Sequence, residues 1–211
     1  MIVLSDNDVL IKLSSCDLFL EFLTAFEVSE ADVLISPRIR FSIGKSKAHR
    51  NRIGEDSFAR LNAFLAKVAD ILVEPDSTFI TALNEHTDKN IDAGEAALFA
   101  VCPLIPNSVI LTGDKKSLTD LTEAGLADSV CETLCRVLAG RVICFEQVLV
   151  RILDHFGFDA IRERLIAGRE CDRGLALWLG SGLDANETRF RDGVSSFLKD
   201  ARDTSGSLLA K

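Results

Sequence analysis

The chain alternates short, unbroken apolar runs with longer stretches in which apolar residues recur every three or four positions. IVL (2–4), DVLIS (32–36), ILVE (71–74), SVILT (108–112) and RVICF (141–145) have the length and the Val/Ile content of buried strands. Between them, CDLFLEFLTAF, EDSFARLNAFLAKVA, DSTFITALNEH, GEAALFAV and SLTDLTEAGLADSVCETLCRVLA carry the spacing of amphipathic helices. This alternation predicts an α/β fold, a five-stranded and mostly parallel sheet with helices on both faces and right-handed crossovers.

After Phe145 the short runs stop. FEQVLVRILDHFGFDAIRERLIAG, LALWLGSGLD and ETRFRDGVSSFLKDA read as three or four helices punctuated by Gly157, Gly168, Gly180 and Gly182. The expected organisation is an α/β/α body over 1–146, a helical extension over 147–211 packed on it, and a frayed tail after Asp203. Trp178 in the LALWL run is a candidate contact surface, although core packing is the commoner fate of such a segment.

A length of 211 residues with 47% hydrophobic and 27% charged positions suits one sizeable core. No apolar run approaches the ~20 residues that a bilayer span requires, and the first residues lack the pattern of a signal peptide. The expectation is a cytoplasmic protein with no membrane partner. Six cysteines (Cys16, Cys102, Cys131, Cys135, Cys144, Cys171) show no metal-type or disulfide-framework spacing, and free thiols without zinc are expected.

The net charge of −8 argues against a surface uniformly built for nucleic acid. Its distribution adds more. From Val33 to Gly54 there is no acid, and Arg38, Arg40, Lys45, Lys47, Arg50 and Arg52 contribute +6, leaving −14 on the rest of the chain. This basic loop either contacts phosphates or balances an acidic surface. Its GKS is not a phosphate-binding loop, because Ile39 stands where the earlier glycine of that motif belongs.

Acids fall where strands end or helices begin in three places: Asp6 and Asp8 after the first strand, Asp92 and Glu95 three apart at a helix start, and Asp114 behind the run SVILTG. If strands one and four are neighbours, Asp6 and Asp114 meet at the carboxyl edge of the sheet, where open α/β folds bind ligands. Clustered carboxylates invite a hard divalent cation, Mg²⁺ or Mn²⁺. Each acid also has a plainer reading. Asp6 and Asp92 suit helix N-caps, Glu95 complements a helix dipole and Asp114 begins a turn.

LSDNDVLIKL, DAGEAALFA and ILTGDKKSL, in this order, resemble the motifs of PIN-domain proteins, a family largely of metal-dependent ribonucleases that includes toxins of toxin–antitoxin pairs. The resemblance covers roughly residues 1–146. It implies a five-stranded α/β/α sandwich, Asp6, Glu95 and Asp114 as catalytic metal ligands, Mg²⁺ or Mn²⁺ as cofactor, and single-stranded RNA as substrate. RNA phosphates would then meet Arg38, Arg40, Lys45, Lys47, Arg50, Arg52, Lys115 and Lys116. An antitoxin, another protein or a second copy of the chain would be the protein partner.

The chain departs from the family's pattern twice. Pro37 to Phe41 stand where many members carry a Glu, and Lys115 and Lys116 replace a fourth acid; Asp92, Asp120 or Glu146 are the candidates to compensate, and Asp8, where the family usually has Asn, is a further secondary candidate. Two other readings stay open. SDNDV and TGDKKSLTD resemble haloacid-dehalogenase phosphatases, with Asp6 as nucleophile and Asp8 as acid/base. The third reading is a non-enzymatic RNA- or protein-binding module on the same fold.

Overall fold

The structure is a computed structural model and describes residues 1–43, 46–87 and 91–210. Five parallel strands, β1 (Ile2–Ser5), β2 (Val33–Ile35), β3 (Ala69–Asp70), β4 (Ser108–Thr112) and β5 (Val142–Cys144), form one sheet in the order β3-β2-β1-β4-β5. β1 lies between β2 and β4, with Leu4 opposite Leu34 on one side and Ile110 on the other. Val3, Leu4, Ile110 and Leu111 are fully buried, as a sheet covered on both faces requires.

The strands connect through α1 (Asn7–Ser15), α2 (Phe19–Phe26), α3 (Pro37–Ser42), α4 (Lys47–Ile53), α5 (Glu55–Leu65), α6 (Ser77–His86), α7 (Ala93–Val101), α8 (Lys115–Ala127) and α9 (Ser129–Leu138). α10 (Phe145–Phe156), α11 (Phe158–Gly168), α12 (Arg173–Leu179) and α13 (Glu187–Ser205) follow β5. Helices α6 to α9 pack on one another, as do α1, α2, α5, α10 and α11, giving three layers with the sheet between. The α/β class and the five parallel strands match the expectation from sequence.

The body and the extension share one hydrophobic core, and α10 runs straight through the 146/147 boundary. Trp178 belongs to that core. It meets Phe190 and Phe197 edge-on, with Gly193 leaving room for its indole, while its neighbour Leu177 is exposed.

Four elements differ from the sequence reading. β3 falls at 69–70 instead of 71–74. Ile71 still donates to Ile35 O at 2.8 Å, but Leu72 and Val73 turn outward before Pro75, which has no N–H to offer a ladder. The long helical stretch 117–139 is broken at Asp128, whose extended backbone and carboxylate cap the N–H groups of Val130 and Cys131 and so start α9. The basic segment forms two short helices, α3 and α4, instead of a loop; Pro37 opens the first and the Ser46 hydroxyl caps the second.

The tail is the fourth difference. Residues 207–210 do not fray. Val142 N donates to Leu208 O, Ala210 N to Val142 O, and the Gln147 amide to Ala210 O, so the tail lies parallel along the outer edge of β5 with Leu208 and Leu209 buried. A cleft of about 650 Å³ lies beside it, lined by Gly140, Arg202, Ser207 and Leu209 at the amino edge of β5, and holds none of the acids discussed above.

Candidate active site at the carboxyl edge of the sheet

The strand order reverses between β1 and β4, and the chain ends of these two strands carry Asp6 and Asp114. Asp6 is 8% exposed. Its Oδ1 accepts from Val9 N at 2.9 Å, capping α1, and its Oδ2 accepts from Gly113 N at 3.0 Å, tying β1 to the turn that follows β4. Burial pushes its carboxyl up to about 6, helped by the charge of Asp8 and opposed by these two amides and the Thr112 hydroxyl.

Glu95 closes a capping box at the start of α7. It accepts from Asp92 N at 3.1 Å, while Asp92 accepts from the N–H groups of Gly94 and Glu95. Partial burial raises the Glu95 carboxyl to about 7, the charges of Asp114 and Asp92 add to the shift, and the Asp92 N–H and the nearby Ser117 side chain oppose it. Asp114 caps α8 through Lys116 N and Ser117 N. The Ser117 hydroxyl donates back to Asp114 O at 2.8 Å, so this serine belongs to the Asp114 cap.

Capping therefore accounts for Asp6, Asp92 and Asp114, as it does for Asp76, Asp128 and Asp172 elsewhere. What capping leaves unexplained is the raised pKa of Asp6 and Glu95, since a cap bond by itself favours the carboxylate.

The remaining acids at this edge are matched by lysines. Asp8 pairs with Lys12 one turn on at 2.5 Å, and Lys12 also reaches Asp172 of the extension at 2.9 Å. Burial works against the Lys12 charge, but Asp8 and Asp172 outweigh it and hold the ammonium proton more firmly than usual. Glu146 is buried at the start of α10; its Oε1 accepts from Lys115 Nζ at 2.7 Å and its Oε2 has no hydrogen-bond partner among the described residues. Lys115 also lies over the Phe197 ring of the extension, 3.5 Å from its centroid. The helical extension thus reaches the carboxyl edge through Asp172 and Phe197. Asp120 lies further along α8, half-buried.

Sequence reasoning missed Lys12, Asp172 and Gly113. The Asp8/Lys12 spacing of one helical turn and a lone lysine inside VLIKL were the available signals. Nothing in the sequence pointed to Asp172. A side chain at Gly113 would run into the Asp8 carboxylate, with Lys12 Nζ 3.1 Å away.

The basic residues divide. Arg38, Lys47, Arg50 and Arg52 are exposed on α3 and α4, which leave the carboxyl end of β2. Arg50 also lies over Phe58 and within 3.6 Å of Glu55. Arg40 is not available to a ligand. Its guanidinium bonds Asp70 at 2.7 Å, Val68 O at 2.6 Å and Leu65 O, binding α3 to β3 and the end of α5. Lys115 is likewise engaged, by Glu146, whereas Lys116 is exposed. Lys45 lies outside the described residues.

Among the described residues no three His, Cys, Asp or Glu side chains are grouped to hold one metal ion. The donor chemistry nonetheless suits a hard cation. Glu95 and Asp114 are neighbouring carboxylates with no lysine between them in the contacts described, and Mg²⁺ commonly takes one or two carboxylates and keeps water and substrate phosphate for the rest. No family model matches the chain, no curated protein matches it, and no solved structure matches its fold. No helix among the described residues is long and apolar enough to cross a membrane.

Proposed function

We propose that this chain is a PIN-like, Mg²⁺- or Mn²⁺-dependent endoribonuclease acting on single-stranded RNA. The observation that carries the reading is the electrostatic state of Glu95: half-buried, beside Asp114, at the carboxyl edge next to the topological switch point, and raised to about 7 by its partial burial and by the charges of Asp114 and Asp92. Glu95 and Asp114 are the residues that would hold the cation, with Asp6 beside them. The cation would supply neutralisation of the scissile phosphate and a lowered pKa for the attacking water.

The chain's own residues would do the rest. Asp6 holds the Gly113 amide and so fixes the turn that presents Asp114. The capping box with Asp92, whose N–H donates to Glu95 Oε2 at 3.1 Å, sets where the Glu95 carboxylate lies. Arg38, Lys47, Arg50 and Arg52, exposed near the same edge, offer phosphate contacts that position a strand without reading its bases. The phosphatase reading loses support, because both oxygens of Asp6, its nucleophile, are engaged by backbone amides and the side chain is buried.

A second reading, a binding module without catalysis, is favoured by one observation: Lys12 and Lys115 already neutralise Asp8, Asp172 and Glu146. Calorimetric titration with Mn²⁺, followed by incubation with mixed-sequence single-stranded RNA with and without EDTA, separates the two. Saturable binding and EDTA-sensitive cleavage, both lost in Glu95→Gln and Asp114→Asn, are expected of the nuclease. RNA retention without metal binding or cleavage would select the binding module.

A further inference from the structure

Two cysteines far apart in sequence meet where the extension crosses α1. Cys16 ends α1, its backbone N–H donating to Lys12 O at 3.1 Å. Cys171 sits in the 3₁₀ turn Arg169–Cys171, and its Sγ lies 4.0 Å from the same Lys12 carbonyl. The two cysteines thus share the Lys12 carbonyl, Cys16 through its backbone N–H and Cys171 through its sulfur, and the nearness of Cys171 together with burial pushes the Cys16 thiol up. Gly168 closes the arrangement, because a side chain there would strike Cys16 Sγ and the Ser15 carbonyl. Cys16 is fully buried, whereas Cys171 is only partly buried.

The other four cysteines lack this setting. Cys102 bonds Ser108, Cys135 bonds the Leu121 carbonyl, Cys131 sits beside the Asp128 cap, and Cys144 is enclosed beside Glu146. Cys16 and Cys171 alone combine a partly exposed member, a shared carbonyl that brings the two together, and positions on separate parts of the chain.

We propose that Cys16 and Cys171 form a reversible dithiol site, oxidised by hydrogen peroxide to a disulfide that fastens the helical extension to α1. Cys171, the less buried of the two, attacks one peroxide oxygen; the O–O bond breaks, one water leaves, and Cys171 becomes a sulfenic acid. Cys16 sulfur then attacks the Cys171 sulfur, the S–O bond breaks, and hydroxide leaves with the Cys16 proton as a second water. Two thiols lose two electrons and two protons in total, and one peroxide is reduced to two waters. A small dithiol reverses the reaction by exchange. Because Asp172 follows Cys171 directly, the link also fixes the Asp172–Lys12 ion pair next to the carboxyl edge.

The full chain, reduced and then treated with hydrogen peroxide, tests this by digestion with trypsin without reductant. Cleavage after Lys12, Arg38, Arg169 and Arg173 leaves each cysteine alone in its peptide, Leu13–Arg38 and Glu170–Arg173. The expected product is these two peptides joined, separated again by dithiothreitol, with a melting temperature several degrees higher for oxidised than for reduced protein. Cys171→Ser, isosteric and at a partly exposed position, keeps the fold and abolishes both the joined peptide and the peroxide-dependent rise. Unmodified thiols, a sulfinic acid on Cys171 without a link, or a link through any other cysteine would each overturn the proposal.

Discussion

The Lys12 ammonium lies 2.9 Å from the Asp172 carboxylate, so the first helix and the C-terminal extension share an ion pair beneath the surface. Lys12 is also paired with Asp8, and its side chain is only 7% exposed. Removing one partner of such a pair strands the others in a poorly solvated place. Lys12→Met is expected to destabilise the protein by about 3 kcal/mol, read from the urea midpoint. Lys12→Met/Asp172→Asn should recover part of that loss. A midpoint unchanged in the single variant would mean that the pair contributes nothing.

Asp6 gives stability a pH dependence of unusual sign. Its carboxyl moves from 3.8 to about 6 on folding, so the folded state binds the proton more tightly and the penalty of ionising it appears as pH rises. Stability without divalent cations should therefore fall between about pH 4 and pH 7, by about 3 kcal/mol for this group alone. Glu95, raised to about 7, acts in the same direction. Asp6→Asn removes one cap acceptor, at a cost of about 1 kcal/mol near pH 5, but should flatten the slope. Denaturation curves at several pH values decide the matter; a wild-type stability that climbs from pH 5 to pH 7 contradicts it.

The basic segment should split by mutation into structural and binding residues. Arg40→Ala loses three partners and is expected to destabilise by about 2 kcal/mol. Arg38→Ala, Lys47→Ala and Arg52→Ala should leave stability unchanged, weaken RNA retention, and each lower the slope of log affinity against log salt by about 0.7. Filter binding across a salt series measures this, and a slope that does not respond would remove these residues from the interface.

Gly113 is held small by its neighbour. Gly113→Ala places a methyl against the Asp8 carboxylate and is expected to cost about 2 kcal/mol. Asp8→Ala, which removes the obstacle, should make the same substitution at 113 nearly neutral. Thermal melts of the four proteins of this cycle test the contact, and additive effects would show that the clash relaxes without cost.

The parallel sheet was legible because β1, β4 and β5 are short β-branched runs with both faces buried, and periodicity reports that state directly. β3 was misplaced because its apolar residues at 72 and 73 face outward on an edge strand, where hydrophobicity no longer tracks pairing. The acids were legible as positions, since each stands at a strand end or helix start. Their charge environment was not. Lys115 was expected to meet RNA phosphates and Lys12 drew no reading, because their partners, Asp172 and Glu146, come from parts of the fold that local spacing does not reach. Arg40 was misjudged for the same reason: a guanidinium amid a basic run looks free until its carbonyl partners in 65–68 are in place.

The strand-like tail along β5 also guards an edge. Val142 on the outer side of β5 exchanges both its backbone hydrogen bonds with residues 208–210. A molecule in which that stretch is unpaired carries an open, apolar sheet edge, the kind of surface that strand-pairing between chains exploits. Docking of residues 207–210 therefore seals a site at which neighbouring copies could otherwise join.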